Sequence, residues 1–142
     1  MKNILLIGPS NAGKSSIFNQ LCGTSRKVAN YHGITVDTGI ANVNNALAME
    51  ALALVDLPGI YTLVPSSIDE AVTVHTILGQ NPKVKSFHQV LCVVDVERVD
   101  ASLSLVLSLK ELFDDKVKVV FNKGDLRDKV SYDIDKIAND LG

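Results

Sequence analysis

The segment from Gly8 to Ser15 constrains the fold more than any other part of the sequence. It fits the pattern Gly-x4-Gly-Lys-Ser. It follows an apolar run, Lys2 to Gly8, which predicts a strand buried on both faces. It precedes a predicted helix from Lys14 to Cys22 that stops at Gly23. A strand, this loop and a helix in that order are typical of a phosphate-binding loop.

Each part of the loop suits the binding of phosphate. Its glycines allow backbone N–H groups to curve around an anion, and the helix N-terminus adds partial positive charge. Lys14 would reach the β and γ phosphates, and Ser15 would bind Mg2+. The predicted contacts of this loop are Gly8, Pro9, Ser10, Asn11, Ala12, Gly13, Lys14, Ser15 and Ser16. The alternative is a turn that matches the pattern by chance.

The rest of the chain alternates apolar runs with helical patterns. Further strands are predicted at Val36 to Val43, Glu50 to Asp56, Gln89 to Asp95 and Val117 to Asn122. Helices are predicted after the capping-box residues Ser67 to Glu70, at Leu103 to Phe113, and around Ile134 to Leu141. Residues 24–35 and 57–66 are predicted loops. Continuously apolar strands between helices predict a three-layer α/β fold with a mostly parallel sheet and a ligand at the strands' carboxyl ends.

Composition narrows the class of protein. The 142 residues suffice for one domain, residues 1–142, and 46% are hydrophobic. A net charge of −2 provides no strong field for nucleic acid or acidic lipid, so we expect no nucleic-acid partner. No apolar run is long enough to cross a bilayer, which predicts a soluble chain. Cys22 and Cys92 lie in apolar stretches, which favours a reducing, cytoplasmic setting.

A second motif concerns the base of the nucleotide. Asn122-Lys123-Gly124-Asp125 follows an apolar strand and matches the Asn-Lys-x-Asp signature of G domains. The Asp125 carboxylate can accept hydrogen bonds from N1–H and the 2-amino group of guanine, a donor pair that adenine lacks. A site built on that bond would reject adenine strongly. A polar turn after a strand is the alternative.

Two further segments are expected to contact the γ phosphate. Asp56-Leu57-Pro58-Gly59 matches the Asp-x-x-Gly motif, in which the aspartate holds Mg2+ and the glycine N–H meets the γ phosphate. Gly33-Ile34-Thr35 lies where G domains carry a threonine that closes on Mg2+ and the γ phosphate. The only support for this role of Thr35 is its position before the second strand.

Ile60 departs from the pattern of Ras-like proteins. It stands where those proteins carry the glutamine that orients the attacking water, so we expect slow intrinsic hydrolysis. Asn11 is the remaining polar side chain within the loop. Some G domains carry an apolar residue at this glutamine position. In those domains, an asparagine in the phosphate-binding loop, at the position of Asn11, helps to hold a potassium ion. The predicted catalytic residues are Asn11, Lys14, Thr35 and Gly59, with K+ at Asn11 and Mg2+ at Ser15, Thr35 and Asp56.

The chain resembles the N-terminal G domain of the FeoB ferrous-iron transporters, which belong to the TrmE-Era-like P-loop GTPases. The resemblance rests on Gly8 to Leu21, Val28 to Val36, Asp56 to Leu63 and Ser67 to Glu70. It implies a Ras-like fold and a GTPase with GTP or GDP, Mg2+ and K+ as ligands. It also implies a cytoplasmic module that regulates Fe2+ import through a helical spacer and a transmembrane domain.

The same resemblance predicts that part of the G domain lies beyond Gly142. The fifth G motif, the last strand and the last helix would be missing, and we expect lower stability and weaker guanine affinity as a result. Two other functions remain open. One is a nucleotide-dependent binding module without hydrolysis, and the other is a ribosome- or tRNA-associated GTPase similar to Era and MnmE.

The remaining histidines and cysteines suggest packing more than chemistry. His75 lies on the apolar stripe of its helix and is expected to face the core, with an Fe2+ ligand as the alternative. His32 and His88 have no partners at metal-ligand spacing. Cys22 and Cys92 lie in apolar stretches and are expected to be buried thiols.

Overall fold

The computed structural model describes residues 1–23, 29–31, 34–36, 38–44 and 49–122. The strands are β1 Lys2–Ile7, β2 Ala29–Tyr31, β3 Ile34–Val36, β4 Gly39–Asn42, β5 Leu52–Asp56, β6 Gln89–Asp95 and β7 Val117–Asn122. The helices are α1 Lys14–Cys22, α2 Ile68–Ile77 and α3 Val99–Phe113. Short 3₁₀ turns at Val96–Arg98 and Asp114–Lys116 flank α3.

Five of these strands form one sheet, in the order β4-β5-β1-β6-β7. β5, β1, β6 and β7 run parallel, and β4 pairs antiparallel with β5. The predicted mostly parallel sheet is therefore confirmed. Because the parallel strands end at one edge, the segments that follow β1, β5 and β6 all leave from that edge.

β1 shows why its sequence is apolar throughout. Leu5 and Ile7 belong to a core cluster on one face of the sheet, where Val99 and Leu105 of α3 also pack. Ile4 and Leu6 belong to a second cluster that contains Phe18 of α1. Helices thus cover both faces, as the three-layer prediction requires.

Three predictions between residues 24 and 56 are wrong. The single strand predicted at Val36 to Val43 is divided, because Val36 ends β3 and β4 begins at Gly39. Part of the loop predicted at residues 24–35 forms β2 and β3, which pair antiparallel over three residues each and are too short to show a period in sequence. The strand predicted from Glu50 begins at Leu52, since Glu50 is exposed and forms an ion pair with Lys2 at 2.9 Å.

α3 begins at Val99, four residues before the predicted start at Leu103. The preceding 3₁₀ turn has its own cap, because the Asp95 carboxylate accepts a hydrogen bond from the Glu97 N–H at 2.9 Å. Val99 and Ser102 are buried and extend the inward face of the helix. The predicted helix around Ile134 to Leu141 lies outside the described residues.

The N-terminus of α2 confirms the predicted capping residues. The Ser67 hydroxyl accepts a hydrogen bond from the Glu70 N–H at 3.1 Å. The Glu70 carboxylate accepts hydrogen bonds from the Ser66 N–H and hydroxyl, both at 2.7 Å. Within the described ranges, no helix is both long enough and apolar enough to span a membrane.

Candidate functional site

The loop between β1 and α1 is tightly curved. Asn11 has a φ of 65° and Gly13 a φ of 96°, both in the left-handed region. A Cβ atom at Gly13 would collide with the side-chain nitrogen of Asn122. The backbone angle therefore favours glycine here, and a side chain at this position would also displace the Asn122 amide from the loop.

Asn122 makes the contact that holds this loop to β7. Its Nδ2 donates a hydrogen bond of 2.8 Å to the carbonyl oxygen of Ala12. Sequence reasoning places Asn122 with the guanine-reading residues, and this bond gives it a direct part in shaping the phosphate loop as well. Lys123, Gly124 and Asp125 lie outside the described residues.

Lys14 directs its ammonium group back across the loop. The side chain is 7% exposed. Its Nζ donates to the carbonyl oxygens of Gly8 at 3.1 Å and Pro9 at 3.0 Å. The two carbonyl dipoles compensate a charge that would otherwise be costly to bury.

Ser15 and Asp56 meet where α1 and β5 approach each other. The Ser15 hydroxyl donates to Asp56 Oδ2 at 3.4 Å, and Asp56 is fully buried at the carboxyl end of β5. A hydroxyl beside a carboxylate is an oxygen-only donor set, which fits a hard cation such as Mg2+. Thr35 is the middle residue of β3, and Gly33 lies outside the described residues.

Lys14 and Ser15 border a cavity of about 330 Å³. It is lined by Ser10, Asn11, Lys14, Ser15, Leu57, Pro58, Gly59 and Asp69. The structure therefore brings the Gly-Lys-Ser loop and the Asp-x-x-Gly segment to one place, as their positions after β1 and β5 predict. Asp69, from the first turn of α2, is a lining residue that sequence reasoning did not place here.

Asn11 lies between this cavity and a second one. The second cavity, of about 240 Å³, lies between the phosphate loop and the start of α3, with Tyr61, Asp95, Arg98 and Ser102 in its wall. Ser10 and Asn11 line both. The Asn11 side chain is exposed and thus accessible to solvent and ions.

The segment after β5 is docked onto the phosphate loop. The Ile60 N–H donates to the carbonyl oxygen of Gly8 at 3.1 Å. A Cβ atom at Gly59 would lie 2.5 Å from the backbone nitrogen of Ser10, so this approach requires glycine. Ile60 itself is fully buried in the core cluster that contains Leu5 and Val94. The side chain at this position thus faces the core in this structure.

Thr73 of α2 is a further residue at the site that sequence reasoning missed. It is fully buried, and its hydroxyl donates to the carbonyl oxygen of Pro58 at 2.7 Å. Its signal in the sequence is a polar residue one position after Val72 of the apolar stripe. A buried hydroxyl needs a partner, and here the partner lies in the Asp-x-x-Gly segment.

Both cysteines are buried, as predicted. Burial raises the pKa of the Cys92 thiol to about 12, although the charge of Lys14 opposes the shift. Burial also raises the pKa of Cys22. His75 is half-buried on α2. Over the described ranges, no three side chains among His, Cys, Asp and Glu come together as a metal site.

Comparison with known proteins identifies relatives of the whole chain. The family model described as "Ferrous iron transport protein B" matches residues 2–142. The chain is 32% identical over 140 residues to the Fe(2+) transporter FeoB of Leptospira interrogans, which covers 98% of the chain and 19% of that relative. The chain therefore spans about a fifth of the length of such relatives.

Solved structures confirm the fold. The G domain of the T. maritima FeoB iron transporter superposes with a TM-score of 0.80 and 32% identity, covering 100% of this chain and 83% of that one. NFeoB from S. thermophilus, bound to GDP.AlF4- and K+, gives a TM-score of 0.73 and 30% identity, covering 98% of this chain and 51% of that one. The predicted Ras-like G-domain fold is thus correct.

Proposed function

Because the chain belongs to the ferrous iron transport protein B family, we propose that it binds GTP and GDP and hydrolyses GTP slowly as a switch domain. The observation that carries the proposal is that Lys14, Ser15 and Gly59 border one and the same cavity. The backbone curvature at Gly13 and the buried Asp56 complete a site suited to a phosphorylated ligand and a divalent cation.

The phosphates would lie along Gly8 to Ser16, with the Lys14 ammonium exchanging its two carbonyl partners for β and γ phosphate oxygens. Ser15, Thr35 and Asp56 would hold Mg2+, and Gly33 to Thr35 would close over the γ phosphate. When bound, Mg2+ neutralises negative charge on the β and γ phosphates. Ser15 and Asp56 already lie 3.4 Å apart, so they can serve one ion together.

Guanine would be read by Asn122, Lys123 and Asp125. An Asp125→Asn exchange removes the acceptor for the N1–H and 2-amino donors, so preference should move toward xanthine nucleotides. Equal GTP binding by the variant and the unmodified chain would contradict the guanine assignment. Measuring GDP and XDP affinity side by side decides it.

Hydrolysis would proceed without a glutamine side chain at position 60. Ile60 is buried in the core, so it supplies no polar group to an attacking water. We assign the placing of this water and the stabilisation of the transition state to the Gly59 amide and to Asn11. K+ bound at Asn11 would supply positive charge where an arginine finger would act. The binding of GDP.AlF4- and K+ by the S. thermophilus relative supports this assignment.

The wider role we propose is regulation of Fe2+ import. The relatives that match the chain are named Fe(2+) transporters. The chain would act as the cytoplasmic nucleotide-binding part of such a transporter and would regulate it through a helical spacer and a transmembrane domain. A binding module that does not hydrolyse GTP is the rival function, and the buried Ile60 is the observation that favours it.

Single-turnover GTP hydrolysis in K+ against Na+ separates the two functions. We expect faster hydrolysis in K+ and loss of that acceleration in Asn11→Ala. Asn19→Ala, at an exposed asparagine on α1, is the matched control and should keep the acceleration. No K+ effect in the unmodified chain, or an unchanged effect in Asn11→Ala, would favour the binding module.

A further inference from the structure

Thr73 makes a short polar contact between α2 and the Asp-x-x-Gly segment. Its hydroxyl donates to the carbonyl oxygen of Pro58 at 2.7 Å, which is the preferred length for an O–H···O bond. Thr73 is fully buried, so this bond is shielded from competing water. Two residues that are 15 apart in sequence are thereby fixed to each other.

The carbonyl that Thr73 holds belongs to the same peptide unit as the Gly59 N–H. The described residues contain no cis peptide bond. In a planar trans peptide the C=O and N–H bonds point in opposite directions. By fixing the Pro58 oxygen, the Thr73 hydroxyl therefore also fixes the direction of the Gly59 N–H, which points away from Thr73.

The neighbouring contacts hold the position of this segment, whereas the Thr73 bond holds the orientation of the Pro58–Gly59 peptide. Gly59 lies against Ser10, and the Ile60 N–H donates to Gly8 at 3.1 Å, but neither contact involves the Pro58–Gly59 peptide oxygen. A peptide preceding glycine can rotate at low cost, because glycine accepts both signs of φ. Losing the Thr73 bond would leave this rotation without an opposing hydrogen bond.

We propose that Thr73 is a positioning residue, which orients the Gly59 amide toward the γ phosphate and so favours GTP over GDP. The inference rests on the proposed function, in which the Gly59 N–H meets the γ phosphate. GDP has no γ phosphate, so the orientation of this amide should matter for GTP and its analogues and hardly for GDP.

The test compares Thr73→Val and Thr73→Ser for binding of GMPPNP and GDP. Removing one hydrogen bond predicts about fivefold to tenfold weaker GMPPNP binding in Thr73→Val, with GDP binding changed less than about twofold. Thr73→Ser keeps the hydroxyl and should restore GMPPNP binding. Thr76→Val is the control for loss of a buried hydroxyl on α2. This hydroxyl donates to Val72 at 2.7 Å and accepts from the Asn81 side chain at 2.8 Å, and neither partner belongs to the Asp-x-x-Gly segment, so its loss should not distinguish the two nucleotides.

Equal loss for both nucleotides in Thr73→Val, or no loss in a folded variant, would overturn the inference. If neither nucleotide bound to the unmodified chain, the proposed function itself would fall. The Gly59 amide resonance provides a second measurement. In the unmodified chain it should differ between the GDP and GMPPNP complexes, and an unchanged resonance would contradict the proposed contact with the γ phosphate. In Thr73→Val this difference should shrink, and an undiminished difference would reject the inference.

Discussion

The side-chain nitrogen of Asn122 lies 2.8 Å from the carbonyl oxygen of Ala12 and joins the end of β7 to the middle of the phosphate loop, across 110 residues of sequence. The same nitrogen occupies the space that a side chain at Gly13 would need. Asn122 therefore acts on the loop itself, in addition to the role that its sequence motif suggests next to the base.

Asn122→Ala is expected to weaken nucleotide binding whichever base is present. The variant leaves the Ala12 carbonyl without its partner and opens space beside Gly13, so the loop loses a restraint. A lost bond of this kind predicts about tenfold weaker binding of both GDP and XDP. Isothermal titration with the two nucleotides measures it.

The pattern of affinities separates Asn122 from Asp125. Asp125→Asn should shift the ratio of GDP to XDP affinity toward XDP, whereas Asn122→Ala should lower both affinities and change their ratio much less. A change confined to GDP in Asn122→Ala would show that its contact with the base outweighs its bond to the loop.

Ile60→Gln is expected to lower stability without raising the rate of hydrolysis. Ile60 is fully buried among apolar side chains, so the new amide would be left without solvent in the folded state. The expected cost is about 1–3 kcal/mol in the free energy of unfolding, measured by urea denaturation. Ile60→Met is the control and should cost less than about 1.5 kcal/mol.

The rate is the second half of this prediction. Since a side chain at position 60 faces the core, a glutamine there should not reach the attacking water. Faster single-turnover hydrolysis by Ile60→Gln, at unchanged stability, would show that this residue leaves the core when GTP binds.

Glu70→Gln is expected to alter how stability depends on pH. Hydrogen bonds from the Ser66 N–H and hydroxyl lower the pKa of Glu70 in the folded state. Its contribution is therefore complete above the ordinary glutamate pKa and is lost as the pH falls through the lowered value. The variant should be less stable than the unmodified chain at neutral pH, and the difference should shrink in acid.

Thermal unfolding from about pH 7 to about pH 3 measures this effect. Glu111→Gln, at an exposed glutamate of α3, is the control and should show a smaller change. A constant difference between Glu70→Gln and the unmodified chain across the range would mean that the carboxylate charge has no part in capping α2.

The two thiols are expected to be unreactive in the native chain. Burial raises the pKa of Cys92 to about 12 and also raises that of Cys22, so little thiolate is present near neutral pH. Labelling with a thiol reagent should be slow in buffer and should reach two thiols per chain in denaturant. Rapid labelling of the folded chain would show that one of these cysteines is exposed by local opening.

Sequence alone predicts the elements whose pattern is local. β1 and β6 contain continuous apolar runs, β7 is interrupted only by Lys118 before its last residue, and α2 has a capping motif at its start, so these elements lie where the pattern indicates. The start of α3 was missed because Asp100, Ala101 and Ser102 interrupt the apolar stripe, although Ser102 is buried. β2 and β3 have three residues each and depend on pairing with each other.

In the candidate site, too, features given by a contiguous motif could be predicted and features that depend on packing could not. The phosphate loop and the Asp-x-x-Gly segment are contiguous motifs, and the order of strands predicts that they meet. The bonds from Asn122 to Ala12 and from Thr73 to Pro58 join residues distant in sequence. Their partners follow from the packing of β7 and α2, which no local pattern specifies.

The dependence of the phosphate loop on β6 and β7 has a consequence for synthesis of the chain. Gly8 lies against the backbone of Val93, and Gly13 lies against Asn122, so the loop's surroundings are complete only after both strands have paired. During translation, residues 8–15 emerge early but lack these restraints until residue 122 has left the ribosome. Capture of nucleotide by a nascent chain should therefore rise sharply once that residue has emerged, long after the phosphate loop has been made.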